Sequence, residues 1–202
     1  MTNILIIGAT GSVGRVTRKM FLEETDDHLA LFSRHSNRLD PLDPAKETSI
    51  SGDVMNPSDL DNAIKDQDVV FASLSGNLEK MAQAIVDSMN RVGIKRLIFI
   101  TSMGIYNEIP ASIEASGNLR TNPILQTYRD AANVIESSDL DYTIIRPGWF
   151  DNSNDTDYEV TLKGDPFGGH DVSRKSIADL VIKLAHDPAL YVKNSVGIHR
   201  PE

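Results

Sequence analysis

The stretch that most constrains this chain is its beginning. Asn3-Ile4-Leu5-Ile6-Ile7 leads into Gly8-Ala9-Thr10-Gly11-Ser12-Val13-Gly14 and then Arg15-Val16-Thr17-Arg18-Lys19-Met20-Phe21-Leu22. The apolar run is short, β-branched and closed by glycine, which predicts a strand covered on both faces. After Gly14 the period changes. Val13, Val16, Met20 and Phe21 recur near helical spacing, with Arg15, Arg18 and Lys19 elsewhere on the wheel.

A strand, a glycine turn and a helix in that order build an anion site. The first helical N–H groups lack intrahelical partners, and the helix dipole places partial positive charge there. A pyrophosphate satisfies both. Gly8, Gly11 and Gly14 permit a tight turn and close approach of phosphate to the backbone, while Thr10, Ser12 and Val13 line it. The spacing is G-x-x-G-x-x-G rather than G-x-G-x-x-G. Its position after a strand and before an amphipathic helix favours dinucleotide binding over a plain structural turn.

The 202 residues suffice for one domain with a substantial core. An apolar share of 40% against 24% charged suits a globular chain. The net charge of −9 argues against nucleic acid and against an anionic membrane surface, because phosphate binding on that scale needs clustered Lys and Arg. The absence of cysteine excludes disulfides, zinc–thiolate sites and cysteine nucleophiles. No apolar run reaches membrane-spanning length, and the first apolar segment is too short for a signal peptide. A cytoplasmic enzyme or sensor is the simplest expectation, with the oligomeric state open.

The remaining chain alternates strand and helix signals. His28–Ser33 reads as a second strand, about 20 residues past the glycine turn, where an NAD site carries a carboxylate for the ribose 2′-OH. Here the strand ends in Ser33-Arg34-His35-Ser36-Asn37-Arg38. Without a carboxylate, Arg34 can pair with a 2′-phosphate through its fork of donors, which favours NADP(H) over NAD(H). Arg38 is a weaker candidate, and a solvated loop arginine is the alternative for Arg34.

Asp40–Pro44 is a loop and Thr48–Ser51 a third strand, followed by Gly52-Asp53-Val54. Pro57–Asp66 predicts a short helix capped by Asn56 or Ser58. Asp68–Ser73 is the fourth strand, ending in Leu74-Ser75-Gly76, small enough for a ligand to come close. Asn77 opens a long helix that Gly93 closes; Met81 and Met89 on it read as core. Arg96–Thr101 is the fifth strand. Residues 107–121 are irregular, a candidate mobile active-site loop.

Pro123 stands near the start of a helix through Tyr128 to about Ser137. Asp141–Arg146 is the sixth strand, broken by Pro147-Gly148, with polar loop from Asp151 to about Asp157. Tyr158–Leu162 and Asn194–His199 read as strands and Ser173–Ala185 as a helix. The fold class is α/β: a Rossmann-type, doubly wound, mainly parallel sheet with helices on both faces. It forms a single domain over residues 1–202, with a small substrate-side region from about 147. Its strand ends bring Gly8–Gly14, Arg34, Asp53, Ser73–Gly76 and Thr101–Tyr106 to one edge.

These motifs together resemble a known family. Gly8–Gly14 is similar to the glycine motif of extended and atypical short-chain dehydrogenase/reductases. Gly52-Asp53-Val54 resembles their adenine-contacting motif, and Ser102 stands where the family serine ends the fifth strand. Asp141-Tyr142-Thr143-Ile144-Ile145-Arg146-Pro147-Gly148 resembles a segment of NAD(P)H-binding NmrA-like and flavin/biliverdin-reductase-like proteins. The resemblance covers nearly the whole chain. It implies that Asp53 and Val54 meet adenine, and that Ser75, Gly76, Thr101 and Ser102 approach the ribose and nicotinamide.

One departure bears on chemistry. Active members of the larger family carry Tyr-x-x-x-Lys, in which lysine lowers the tyrosine pKa. Here Tyr128-Arg129-Asp130-Ala131-Ala132 matches best, with alanine in the lysine position. An unassisted tyrosine, with a pKa near about 10, is a poor general acid at neutral pH. Tyr128 and Ser102 remain the catalytic candidates, with Tyr106 an alternative. Hydride transfer to a flavin, quinone or similar conjugated acceptor needs little proton donation, and positioning supplies most of the catalysis.

An NADP(H)-dependent oxidoreductase of a small conjugated or carbonyl acceptor is therefore expected. The alternative is a non-catalytic NADP(H) sensor acting through a protein partner. A sugar-nucleotide epimerase is disfavoured, since those members keep the lysine and a larger substrate domain. Asp151, Asp155, Asp157 and His170 read as solvated rather than as a metal site, and Trp149-Phe150 is a candidate pocket wall.

Overall fold

The apolar runs form strands and the amphipathic segments form helices. The computed structural model describes residues 1–39 and 42–201; Asp40 and Pro41 of the expected loop lie outside the described residues. The strands are β1 (Asn3–Ile7), β2 (His28–Ser33), β3 (Glu47–Ser51), β4 (Val69–Ala72), β5 (Arg96–Ile100), β6 (Asp141–Pro147), β7 (Trp149–Asp151), β8 (Glu159–Leu162), β9 (Asp171–Ser173) and β10 (Asn194–His199). The helices are α1 (Ser12–Glu24), α2 (Pro57–Ile64), α3 (Leu78–Val92), α4 (Gln126–Glu136) and α5 (Arg174–His186).

The main sheet runs β3-β2-β1-β4-β5-β6-β10-β8. All its pairings are parallel except that of β10 with β8. β1 shows why the sheet is covered twice. Leu5 and Ile7 join the core beneath α2, α3 and α4, whereas Ile4 and Ile6 join the core beneath α1 and α5. All four are fully buried. The direction of strand addition reverses between β1 and β4. Their following loops part there and leave a crevice at the carboxyl ends.

Local signals set the helix ends. The Asn56 side chain accepts from the Ser58 and Asp59 amides, with Pro57 opening α2. Asn77 accepts from Lys80 N–H at the start of α3. Gly93, at φ +87°, closes α3 by donating to the Met89 carbonyl at 2.8 Å.

The structure departs from the sequence reading mainly after residue 146. β6 runs through Pro147, which occupies its last position, where a missing donor is tolerated. Trp149–Asp151 pairs in parallel with β9, a three-residue strand that local pattern could not announce, in a separate ribbon. Ser173 is the N-cap of α5 rather than its first residue; its Oγ accepts from Ser176 N–H at 2.8 Å. β8 and β10 extend the main sheet and α5 packs on α1, so only β7, β9 and their loops stand apart.

Candidate active site

The glycine turn is shaped by lack of room. Gly8 has φ +91°, and a Cβ there would lie 2.1 Å from the Ser73 carbonyl oxygen. A Cβ on Gly14 would lie 2.4 Å from the Gly8 oxygen. Backbone from the ends of β1 and β4 and the start of α1 therefore meets with no side chain between. α1 has no side-chain cap and no acidic residue in its first turn. Its leading amides are available to an anion, and a diphosphate suits this main-chain cradle.

A second set of bonds ties the cradle to the turn after β2. Thr10 Oγ1 and Ser33 Oγ lie 3.0 Å apart, and Ser33 Oγ accepts from His35 N–H at 3.1 Å. The Arg15 guanidinium donates to the Thr10 carbonyl at 3.0 Å and to the Arg38 carbonyl at 2.5 Å. Across the crevice, Asp53 Oδ1 accepts from Met55 N–H, and Asp53 N–H donates to Asp59.

The crevice measures about 360 Å³. Ser33, Arg34, His35, Asp53 and Val54 line one end, and Gly8, Thr10, Gly11, Ser12, Val13 and Ser73–Ser75 its middle. Met81, Ile100, Thr101, Tyr128 and Phe150 line the other end. Gly14 and Gly76 are not among the lining residues; the Gly76 carbonyl accepts from Thr127 Oγ1 at 3.1 Å. Thr101 Oγ1 donates to the Ile145 carbonyl. Ser102 is not among the lining residues, and its Oγ donates to the Met103 carbonyl at 3.1 Å, a strand-end bond. Arg38 also lies off the lining and contributes its carbonyl to Arg15.

Tyr128, on α4, lines this far end of the crevice. One turn further on, Ala131 and Ala132 are fully buried. Arg129 instead lies over the Tyr106 ring, 4.6 Å from its centroid, and pairs with Glu136 at 3.3 Å. Tyr106 is also off the lining. Its hydroxyl donates to Glu136 at 2.6 Å, and burial together with that carboxylate raises its pKa far above the usual tyrosine value. Beneath it, fully buried Arg146 pairs with Glu108, whose carboxylate also accepts from the Gly104 and Tyr106 amides. This fixes the turn after β5.

The 107–121 segment is irregular, as read, and does not line the crevice. The Asn118 side chain brackets Ile109, accepting from its N–H and donating to its carbonyl. Asp151 and Asp155 bind Arg200, and His170 lies between Asp171 and Glu114 at 2.6 and 3.2 Å. Among the described residues, no three His, Cys, Asp or Glu side chains are grouped to hold a metal. No described helix is long and apolar enough to cross a membrane.

Sequence reasoning assigned no role to His35 or Met81 in this crevice. His35 was legible as the base after Arg34. Met81 sits on the apolar face of α3, where helical spacing alone makes it core.

A glycine cradle before an uncapped helix, at the switch point of a doubly wound sheet, defines a nucleotide-binding protein of the Rossmann class. Residues 8–188 match the NAD(P)H-binding family, and the chain belongs to it. It is similar to a Rossmann-fold NAD(P)-binding family protein from Shigella flexneri, at 34% identity and TM-score 0.86 over 100% of this chain and 94% of that one. A short-chain dehydrogenase/reductase from Veillonella parvula, solved in complex with NADP, is 29% identical with TM-score 0.91 over 99% and 95% of the two chains. A Bacillus subtilis protein named as an uncharacterized sugar epimerase is 26% identical over 89% of this chain and 86% of its own length.

Proposed function

We propose that the chain is an NADP(H)-dependent reductase that delivers hydride to a small conjugated acceptor: a flavin, a quinone or an activated carbonyl. The observation that carries this reading is the continuous crevice from Arg34, through the glycine cradle, to Tyr128 and Phe150. Gly8, Gly11 and Ser12–Gly14 would hold the diphosphate, Asp53 and Val54 the adenine, and Arg34 the 2′-phosphate. Ser75 and Thr101 would face the ribose and nicotinamide, with Gly76 and Ser102 supporting the loops behind them. The bound nicotinamide supplies the hydride.

The acceptor end is built from Met81, Ile100, Thr101, Tyr128 and Phe150, which present aromatic and apolar surface and no charged group. Such a wall orients a flat, conjugated acceptor. Tyr128 can donate a hydrogen bond but lacks a cation one turn on, so little proton transfer is available. The same gap argues against the epimerase reading. The NADP complex of the Veillonella relative supports the choice of nucleotide.

Calorimetric titration with NADPH and NADH, followed by multiple-turnover assays with excess flavin or quinone, tests the proposal. Tight NADPH binding with turnover supports it. Binding without turnover on any acceptor favours the second reading, a nucleotide sensor, to which the alanine at 132 also points. Binding of neither nucleotide overturns both.

A further inference from the structure

Position 35 carries a charge-switchable side chain at the rim where the 2′-phosphate reading places a dianion. His35 lines the crevice beside Arg34, and its ring makes no hydrogen bond or ion pair among the described residues. The residue is exposed, yet its backbone is fixed. Its N–H donates to Ser33 Oγ, and its carbonyl accepts from Arg38 N–H at 3.0 Å in the turn that follows. Arg15 holds that turn against the glycine cradle through the Thr10 and Arg38 carbonyls. The turn therefore holds position 35 at the crevice, and the ring nitrogens stay open to a ligand.

We propose that His35 is a second reader of the 2′-phosphate, so that binding of NADPH, unlike that of NADH, takes up a proton. The inference rests on the phosphate reading of Arg34. A phosphate monoester is largely dianionic at neutral pH. Arg34 offers fixed charge, and a dianion beside an imidazole favours the protonated ring, which then donates a charge-assisted hydrogen bond. Histidine is the side chain whose charge changes in the neutral range.

The charged groups at this end are Arg34 beside the ring, Arg38 in the same turn, Arg15 from α1, and Asp53 with Asp59 across the crevice. The arginines oppose a further positive charge until the phosphate arrives. The Asp53 carboxylate is already engaged by the Met55 amide. Proton uptake is thus coupled to the 2′-phosphate rather than to nucleotide binding as such.

The magnitude follows from linkage. A tenfold gain in proton affinity on binding corresponds to at most about half a proton taken up, reached midway between the free and the bound values. It also weakens NADPH binding by up to about tenfold as the pH rises through both values. Protonation of the free phosphate acts in the opposite sense, but equally in wild type and variant, so their difference isolates His35.

The test is calorimetry of the full chain with NADPH and NADH at pH 7.0, in two buffers of different ionisation enthalpy. Wild type should take up a fraction of a proton, up to about half, with NADPH and none with NADH, and His35→Gln should lose that uptake while keeping its NADH affinity. His35→Lys should keep the NADPH preference with no uptake and no histidine-dependent pH profile. Equal uptake in wild type and His35→Gln, with NADPH still preferred, overturns the role of His35 alone. Equal affinity of wild type for NADPH and NADH overturns the phosphate reading of Arg34, and His35 with it.

Discussion

Arg34 and Tyr128 are single side chains on which most of the proposed chemistry turns. On the proposed pairing of Arg34 with the 2′-phosphate, Arg34→Ala should weaken NADPH binding about 10- to 100-fold, with NADH binding changed less than about threefold. Equal losses in a two-nucleotide titration would show that Arg34 does not read the phosphate. Tyr128→Phe should slow a carbonyl acceptor and leave a flavin or quinone nearly unaffected. Steady-state rates on both acceptors check this, and a large loss on the quinone would contradict the low proton demand argued above. Gly14→Ala has a different cause, since the new methyl would press on the Gly8 carbonyl. A loss of about 2 kcal/mol or more is expected in urea denaturation. The glycine turn and the place of Arg34 on the crevice wall were legible in sequence because both depend on residue type and strand position. Ser102 was less so: the strand end it occupies was readable, but its backbone bond depends on rotamer and on the turn that Glu108 shapes.

Elements rather than residues explain how the acceptor side keeps its shape. The turn after β5 is held by Glu108, which accepts two amides and pairs with Arg146, fully buried on β6. Arg146→Met strands that carboxylate, and a loss of about 3–5 kcal/mol in a denaturant titration is expected. Glu108→Gln keeps one acceptor oxygen of the two that the Gly104 and Tyr106 amides use and leaves Arg146 without its counter-charge, so a loss of similar size is expected. A second fastening joins the 107–121 segment to β9, where His170 lies between Asp171 and Glu114. These carboxylates, Asp171 first, raise the imidazole pKa above the ordinary histidine value. The clasp therefore stabilises the fold fully below about pH 6.5, and the contribution fades as pH rises through the higher folded value. His170→Gln should lower the denaturation midpoint at pH 6 and not at pH 9; because the site is solvent-screened, the difference should stay under about 1 kcal/mol. Both fastenings link segments far apart in the chain, which is why local pattern marked 107–121 only as irregular and passed over β9.

The whole molecule follows from the alternation of strand and helix, since right-handed crossovers leave few arrangements of parallel strands. The parallel, doubly wound sheet and the edge that carries the crevice were therefore readable at the start, while the strand order comes from the pairing itself. The seat of the C-terminal third was not readable, because β8 could join either an edge or a separate sheet, and only pairing with β10 decides. That sheet has two open margins, and both are brief. β3 is five residues, with Thr48, Ser49 and Ser51 bearing hydroxyls, and β8 is four residues with a glutamate at its head. Short, polar margins give another chain little to template on. High concentrations should therefore favour dispersal over ribbon-like growth, and a crowded solution would test the surface of this protein before it tested its sheet.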